Sequence, residues 1–375
     1  MKQTVVVIQP YVPAYRRPFF LSLRERLQAA NIDLVVAVGM PAGAQAARQD
    51  RADLPDLVRL PEWRWSLRGR SIAYRDVRAV VAEADLVVLE QARSNVEMYR
   101  LLLGPRKVRR VALWGHGRTV SRRASYWEHK LLDHFTKRAD WFFAYTDAGV
   151  RHLVAIGFPE DRCTIVHNAT DTRALRSAVK SVRPDHLEAF RRVHGLVPSL
   201  TALFVGGLDG SKRIDFLLDA AGRIASEVPG FRLLVVGQGV QEAKVRTAQR
   251  VGSPVVFLGD RRGNELAIAA CASEMILMPG RVGLVAVDSF AIGLPIVTTN
   301  WPHHAPEFEY LTPGKNSVVS ADDVASYVAE VISLAKDSDR RRVLQAACVE
   351  QSVNYSIEKM VSNFVGGIDA ALEMD

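Results

Sequence analysis

A chain of 375 residues is long enough for two domains of ordinary size, and 48% hydrophobic content with a mean hydropathy of +0.01 describes a globular protein with real cores. No apolar run approaches the roughly 18 residues of a membrane span, and the N-terminal run Val5 to Ile8 is too short for a signal-peptide core. The net charge of +8 is uneven: residues 1–185 hold 31 Lys and Arg against 19 Asp and Glu, hence +12, and the rest holds 18 against 22, hence −4.

Such asymmetry points to an anionic surface met by one domain only. The candidate clusters are Arg64/Arg68/Arg70, Arg106/Lys107/Arg109/Arg110 and Arg118/Arg122/Arg123. No RNA- or DNA-binding motif accompanies them, so no nucleic-acid partner is expected. A membrane with acidic lipids or a phosphate-bearing substrate fits the charge, as does simple solvation of helix faces. Cys163, Cys271 and Cys348 are scattered and form no CxxC, which argues against a disulfide framework or zinc site. The expected location is cytoplasmic, with peripheral contact at the cytoplasmic face of the membrane as a variant.

In chain order, Val5 to Ile8 reads as a buried strand, followed by a loop from Gln9 to Arg17. A helix then places Phe19, Phe20, Leu23 and Leu27 on one face, with Pro18 at its start. Strands follow at Leu34 to Val38, Leu86 to Leu89, Val108 to Trp114, Trp141 to Tyr145 and Thr164 to Val166; Pro41 to Asp53 reads as a mobile loop. Residues 176–199 show no strand and suit an interdomain passage. The alternation restarts with Ala202 to Val205 and a helix carrying Ile214, Leu217, Leu218, Ala221 and Ile224, then strands at Leu233 to Val236, Val255 to Leu258, Met275 to Met278 and Ile296 to Thr299. From Asp322 the chain is helical, and its last helix, Ile357 to Leu372, is long enough to return to the first domain. Strands alternating with helices predict an α/β class of two doubly wound domains facing a cleft, spanning 1–180 with 357–375 and 195–356.

Three loops at strand ends of the second half suit phosphate. Gly206-Gly207 through Lys212 allows close backbone approach and places an ammonium near a helix start; a turn with a surface lysine is the plain alternative. Gly237-Gln238-Gly239 is a GxG without a third glycine, and so a weak dinucleotide signal. Pro279 to Gly283 leads into a helix opening at Leu284, whose free amides and dipole favour an anion, with Asp288 one turn in to bind hydroxyls; an ordinary crossover turn is the alternative. Gly293 and Pro295 end that helix. In the first half, His116 follows a strand between Gly115 and Gly117, and can bond a sugar hydroxyl or phosphate, move a proton, or serve structure. Asp337-Ser338-Asp339 reads as a polar turn, and the adjacent His303-His304 lack the spacing of a helical metal pair.

These residues resemble the GT-B-fold glycosyltransferases of family 4, the retaining nucleotide-sugar enzymes that build bacterial glycolipids and polysaccharides. Phe204-Val205-Gly206-Gly207-Leu208 through Lys212 is similar to the family's VGRL loop with its lysine, and Leu234 to Gly239 to its GxG strand. Val256 to Gly259 resembles the FLG strand beside the nucleotide base; Met278-Pro279 through Pro295 resembles the PS-x-x-EGFGL-x3-EAMA-x-GxPVV signature. Pro306-Glu307 with Gly314 and Asn316 resembles the loop that follows. Leu113 to Gly117, Phe142 to Thr146 and Asn168-Ala169 resemble the acceptor domain of one bacterial branch.

The resemblance implies donor contacts from Gly206, Gly207, Lys212, Gly237, Gly239, Leu258, Gly259, Arg281, Gly283, Leu284 and Asp288. It implies acceptor contacts from Tyr15, Arg16, Arg17, His116 and Arg118, with His116 and Lys212 as the catalytic pair. The family's two glutamates fall on Gly280 and Asp288, so the donor-sugar carboxylate is absent; its phosphate arginine falls on Gly207, a charge Arg281 is placed to replace. The implied reaction transfers a sugar, with retention, from a nucleoside diphosphate sugar to a hydroxyl of a glycan or lipid-linked acceptor. Its first domain rests on an anionic membrane, and no cofactor or metal is expected. Competing readings are a nucleotide-sugar epimerase of the same fold, a degenerate binding subunit, and an NAD-dependent oxidoreductase.

Overall fold

The computed structural model describes residues 2–42, 46, 50–67, 70–104, 108–117 and 126–374. The chain divides into two compact units, 1–171 with 357–375 and 172–356.

The first unit is built on a seven-stranded sheet whose strands run parallel throughout. Its members are β1 (Gln3–Gln9), β2 (Ile32–Val38), β3 (Val58–Arg59), β6 (Leu86–Glu90), β7 (Arg110–Gly115), β8 (Trp141–Ala144) and β9 (Cys163–Ile165), in the order β3-β2-β1-β6-β7-β8-β9. The central strands are apolar runs because both faces are covered: Val5, Val6 and Val7 of β1 and Leu86, Val87 and Val88 of β6 are wholly buried. The helix Arg17–Ala29 buries Phe19, Phe20, Leu23 and Leu27, the four residues its periodicity selects. A two-stranded antiparallel hairpin, β4 (Glu62–Leu67) with β5 (Arg70–Arg75), is an element the sequence pattern did not predict.

The long helix Ile357–Glu373 belongs to this first unit. Phe364 stacks on Phe143 at 4.2 Å and meets Trp114 at 5.0 Å and Phe19 at 5.4 Å. Burying one such ring contributes about 1.5–3 kcal/mol. Gly367 lets the helix lie close to β8 and β9, since a Cβ there would fall 2.4 Å from Thr164 Oγ1 and 2.5 Å from the Phe143 ring.

The second unit carries a six-stranded parallel sheet: β10 (Thr201–Val205), β11 (Arg232–Val236), β12 (Val255–Gly259), β13 (Met275–Leu277), β14 (Ile296–Thr299) and β15 (Ser317–Ser320). Its order is β12-β11-β10-β13-β14-β15. The winding reverses between β10 and β13, and a crevice beyond the carboxyl ends of such strands is where open α/β sheets take ligands. Residues 176–199, expected as a passage between domains, instead fold largely into helices Arg173–Lys180 and Pro184–His194, and the division falls at 171/172.

Candidate functional site

Four loops of the second unit meet beyond the ends of β10, β11, β12 and β13, and backbone hydrogen bonds lace them together. The Gly206 amide donates to Val236 O at 3.1 Å, Leu208 to Gln238 O at 2.9 Å, and Gly237 to Gly259 O at 2.9 Å. Gly237, at φ +145, has no room for a side chain: its Cβ would lie 1.9 Å from Gly206 O. Gly239 packs as tightly on Leu208 O, at 2.5 Å. The glycines are therefore the contact surfaces through which the loops touch one another.

Across the reversal point, the turn Gly210–Lys212 docks against the loop 279–284. The Arg281 amide donates to Ser211 O at 2.8 Å, and Lys212 Nζ donates to Arg281 O at 2.5 Å. Gly280 lies flat on this turn; a Cβ would stand 2.5 Å from both Ser211 O and Lys212 C. The absence of a carboxylate at this position thus has a steric cause. Burial brings the Lys212 ammonium from 10.5 down to about 8; Asp209 opposes the fall, Arg281 adds to it, and Glu307 opposes it.

The loop 279–284 opens the helix Val285–Ile292, capped by Gly293 in the left-handed region at φ +73. Its leading amides, at Gly283, Leu284 and Val285, have no intrahelical acceptor and carry the positive end of the helix dipole. Asp288 sits half-buried in the first turn. His304 braces the loop from behind: its Nδ1 accepts from the Val282 amide at 3.1 Å and its Nε2 meets Thr299 O at 2.9 Å, so the ring is neutral with the proton on Nε2. Burial lowers its pKa from 6.5, and the ring stacks on Phe308 at 4.1 Å. Arg213 completes the frame through Asp322, Pro279 O and Thr299.

Of the residues singled out as donor contacts, Gly206, Gly207, Lys212, Gly237, Gly239, Gly259, Arg281, Gly283, Leu284 and Asp288 all belong to these loops or the helix they open. Leu258 is the last residue but one of β12, its carbonyl accepting from Arg261 Nε at 2.7 Å. The sequence reading missed His304, Arg213, Thr299 and Asp322 as parts of the site. The histidine pair was weighed only as a metal motif, and nothing in adjacent histidines signals a brace.

In the first unit, His116 follows β7 with its ring edge-on to Tyr145 at 4.9 Å. Gly117 and Gly149 pack backbone to backbone beneath it, a Cβ on Gly117 falling 2.6 Å from Gly149 O. Arg16 is 5% exposed rather than open to a ligand. Its guanidinium bonds Asn168 and the Met360 sulfur and lies over the rings of Trp114 at 5.1 Å and Tyr15 at 5.2 Å. It ties the loop after β1 to the end of β7, at a position where the resemblance implies an acceptor contact. Tyr15, at 40% exposed, and Arg17, which donates to Asp53 O at 3.3 Å, stay on the surface. Arg118 lies outside the described residues, as do Arg68, Arg106, Lys107, Arg122 and Arg123.

Crossed loops and a buried ammonium at the reversal point of a parallel sheet, in a chain of two such sheets, define a GT-B-type protein. Two family models agree, Glycosyltransferase Family 4 over residues 10–174 and Glycosyl transferases group 1 over residues 199–337. The chain belongs to the family 4 glycosyltransferases of GT-B fold. Among curated relatives, D-inositol 3-phosphate glycosyltransferase of Segniliparus rotundus is 28% identical over 211 residues, 51% of this chain and 44% of that protein. The sulfoquinovosyl transferase of Arabidopsis thaliana is 25% identical over 160 residues, 41% of this chain and 30% of the relative. The chain thus spans less than half the length of these curated relatives. A glycosyltransferase from Rickettsia africae superposes with a TM-score of 0.70 at 12% identity, covering 100% of both chains. The Anabaena protein HepE in complex with UDP gives 0.70 at 14%, covering 98% of this chain and 100% of that one. Among the described residues no helix is long and apolar enough to cross a membrane.

Proposed function

We propose that this chain transfers a sugar from a nucleoside diphosphate sugar to an acceptor hydroxyl, with retention of configuration, and that the laced loops of the second unit hold the diphosphate. The observation that carries this reading is Lys212, a buried ammonium drawn down to about 8 and aimed at the loop whose leading amides open the helix Val285–Ile292. As the bond to the sugar breaks, negative charge grows on the β-phosphate. Lys212 and the amides of Gly283 and Leu284 are preorganised to meet it, and fixed donors of this kind are worth several kcal/mol each in a transition state. Asp288 takes the ribose hydroxyls, and Leu258 with Gly259 borders the base. The reading assigns no resident metal, since the ammonium and amides carry the charge.

His116 and the exposed Tyr15 are assigned to the acceptor or transferred sugar. An acceptor that is a glycan or lipid-linked precursor, met at an anionic membrane surface, suits the basic first half. Solved relatives hold UDP and UDP-glucose, which makes uridine diphosphate the first nucleotide to try. The test is a thermal-shift screen of UDP, GDP and dTDP and their sugars, because a ligand stabilises by its affinity for the folded state. Stabilisation by one nucleotide series, lost in Lys212→Ala and Asp288→Ala, is expected. No stabilisation by any of them removes the reading, while binding without turnover on a broad acceptor panel favours a binding subunit, and conversion of donor alone an epimerase.

A further inference from the structure

The loop 279–284 offers donors and very few acceptors. Pro279 O already accepts from Thr299 Oγ1 at 3.2 Å, Arg281 O from Lys212, Val282 O from the Ala305 amide at 2.8 Å, and Gly283 O from the Ala286 amide at 2.9 Å. Gly280 has neither a side chain nor room for one. The nearby carboxylate, Glu307, lies behind Gly283 and is 4% exposed. A neutral sugar presents hydroxyl groups that donate as well as accept. Among the described hydrogen bonds the Gly280 carbonyl alone of residues 279–283 is left to accept, so this loop answers mainly their accepting half.

Arg281 is the first residue of the loop past Pro279 able to extend a side chain, and both of its backbone polar groups are pinned, the amide to Ser211 O and the carbonyl to Lys212. Its side chain thus leaves from a fixed platform and is half-buried. Among the described residues its guanidinium pairs with no carboxylate, whereas Arg213, Arg223, Arg246 and Arg261 each pair with one. A fixed guanidinium fork matches a planar anion with two parallel hydrogen bonds. The diphosphate is already provided for by Lys212 and the leading amides, so the second cation is in excess of what the nucleotide needs.

We propose that the sugar carried by the nucleotide bears an anionic substituent of the hexuronate carboxylate kind, and that Arg281 is the residue that reads it. The inference rests on the donor-site reading above and adds a substrate class to it.

Calorimetry on the full chain tests it. Free UDP, GDP and dTDP first fix the base, and the glucose and glucuronate derivatives of that nucleotide are then titrated into wild type, Arg281→Gln and Arg281→Lys. Wild type is expected to bind the glucuronate form about tenfold more tightly than the glucose form, the scale of one charge-assisted pair. Arg281→Gln should erase the preference while free-nucleotide affinity stays within about threefold, and Arg281→Lys should keep part of it. Equal affinity for the two sugars in wild type overturns the inference and leaves the donor site standing. So does a loss in Arg281→Gln that is as large for free nucleotide as for the glucuronate form, because Arg281 is then a diphosphate ligand. Failure of every nucleotide to bind removes the donor site and this inference together.

Discussion

Gly280→Ala is the sharpest probe of the docked loops. The added methyl carbon would stand 2.5 Å from Ser211 O, 2.5 Å from Lys212 C and 2.7 Å from Lys212 Cα, whereas ordinary contact begins near 3.4 Å. All three neighbours are backbone atoms, so no rotamer change relieves the overlap, and the turn Gly210–Lys212 must retreat by about 1 Å, an overpacking strain of about 1–3 kcal/mol. The retreat also opens the bonds from the Arg281 amide to Ser211 O and from Lys212 Nζ to Arg281 O, each worth about 1 kcal/mol net. A total of about 3–5 kcal/mol lowers the melting temperature of a unit of this size by roughly 6–20 °C. Scanning calorimetry reads the shift, and titration with UDP should show weaker binding in the same variant. Gly222→Ala is the control: it lies in the helix Ile214–Glu227 with nothing within 4 Å of its Cβ position, and should stabilise by about 0.5–1 kcal/mol. Gly280→Glu, which restores the carboxylate of the family pattern, should be worse than alanine rather than better. If Gly280→Ala melts within a degree of wild type and binds UDP unchanged, the docking of these loops is not what fixes the glycine.

Three further outcomes follow from the same coordinates. The ammonium of Lys212, held at about 8 in the free protein, is the form that meets a diphosphate; UDP affinity should therefore fall as pH rises through 8, and Lys212→Ala should flatten the dependence in calorimetric titrations between pH 6.5 and 9.5. His304 works as a neutral ring and its folded pKa is depressed, so its contribution is complete above its ordinary value of 6.5 and lost as pH falls through the lower folded value. Melting temperature should drop more between pH 7.5 and 5 in wild type than in His304→Asn; parallel curves would dismiss the brace. In the first unit, Arg75 is 2% exposed and pairs with Glu97 at 2.5 Å and Glu62 at 2.8 Å; Arg75→Met strands the buried Glu97 carboxylate, leaves Glu62 to Arg64 alone, and should cost about 3–5 kcal/mol by urea denaturation.

Much of this architecture was legible because both sheets are parallel and covered on both faces, so their central strands appear as unbroken apolar runs between turn residues. Ile296–Thr299 matched to the residue. The hairpin of β4 and β5 escaped because Glu62-Trp63-Arg64-Trp65 mixes charge with aromatics, and half its face is solvent: Trp63 and Trp65 are 49% and 53% exposed. β15 escaped for brevity, with Val318 and Val319 alone between two serines. The helices over 173–194 bury little beyond Ala178, so no apolar stripe announced them. In the site, glycine marked where the turns fall but not what each turn touches. Gly280 read as a missing carboxylate, when the backbone of Ser211 and Lys212 leaves space for nothing larger than hydrogen. That contact joins residues almost seventy positions apart, beyond the reach of any local pattern.

The same limit applies to charge, and it bears on the anionic membrane surface proposed above as a partner of the first unit. A count of +12 treats every arginine of residues 1–185 as available, yet several are committed inside the fold. Arg16 is enclosed by aromatic rings and Asn168, Arg75 is locked between Glu62 and Glu97, Arg64 bonds Glu62 and Met40 O, and Arg110 donates to Met374 O. Each of these holds an element in place; Arg64 and Arg75 are also answered at short range by the carboxylates of Glu62 and Glu97, so that this cluster adds little to a field felt beyond a Debye length of about 8–10 Å. The proposed membrane contact would therefore draw on the remaining surface cations together with exposed rings such as Trp127, at 78% exposed, whose apolar body and polar edge suit a lipid–water boundary. Attraction of that mixed kind weakens with salt but does not vanish, which separates it from the purely electrostatic contact that the residue count alone suggests.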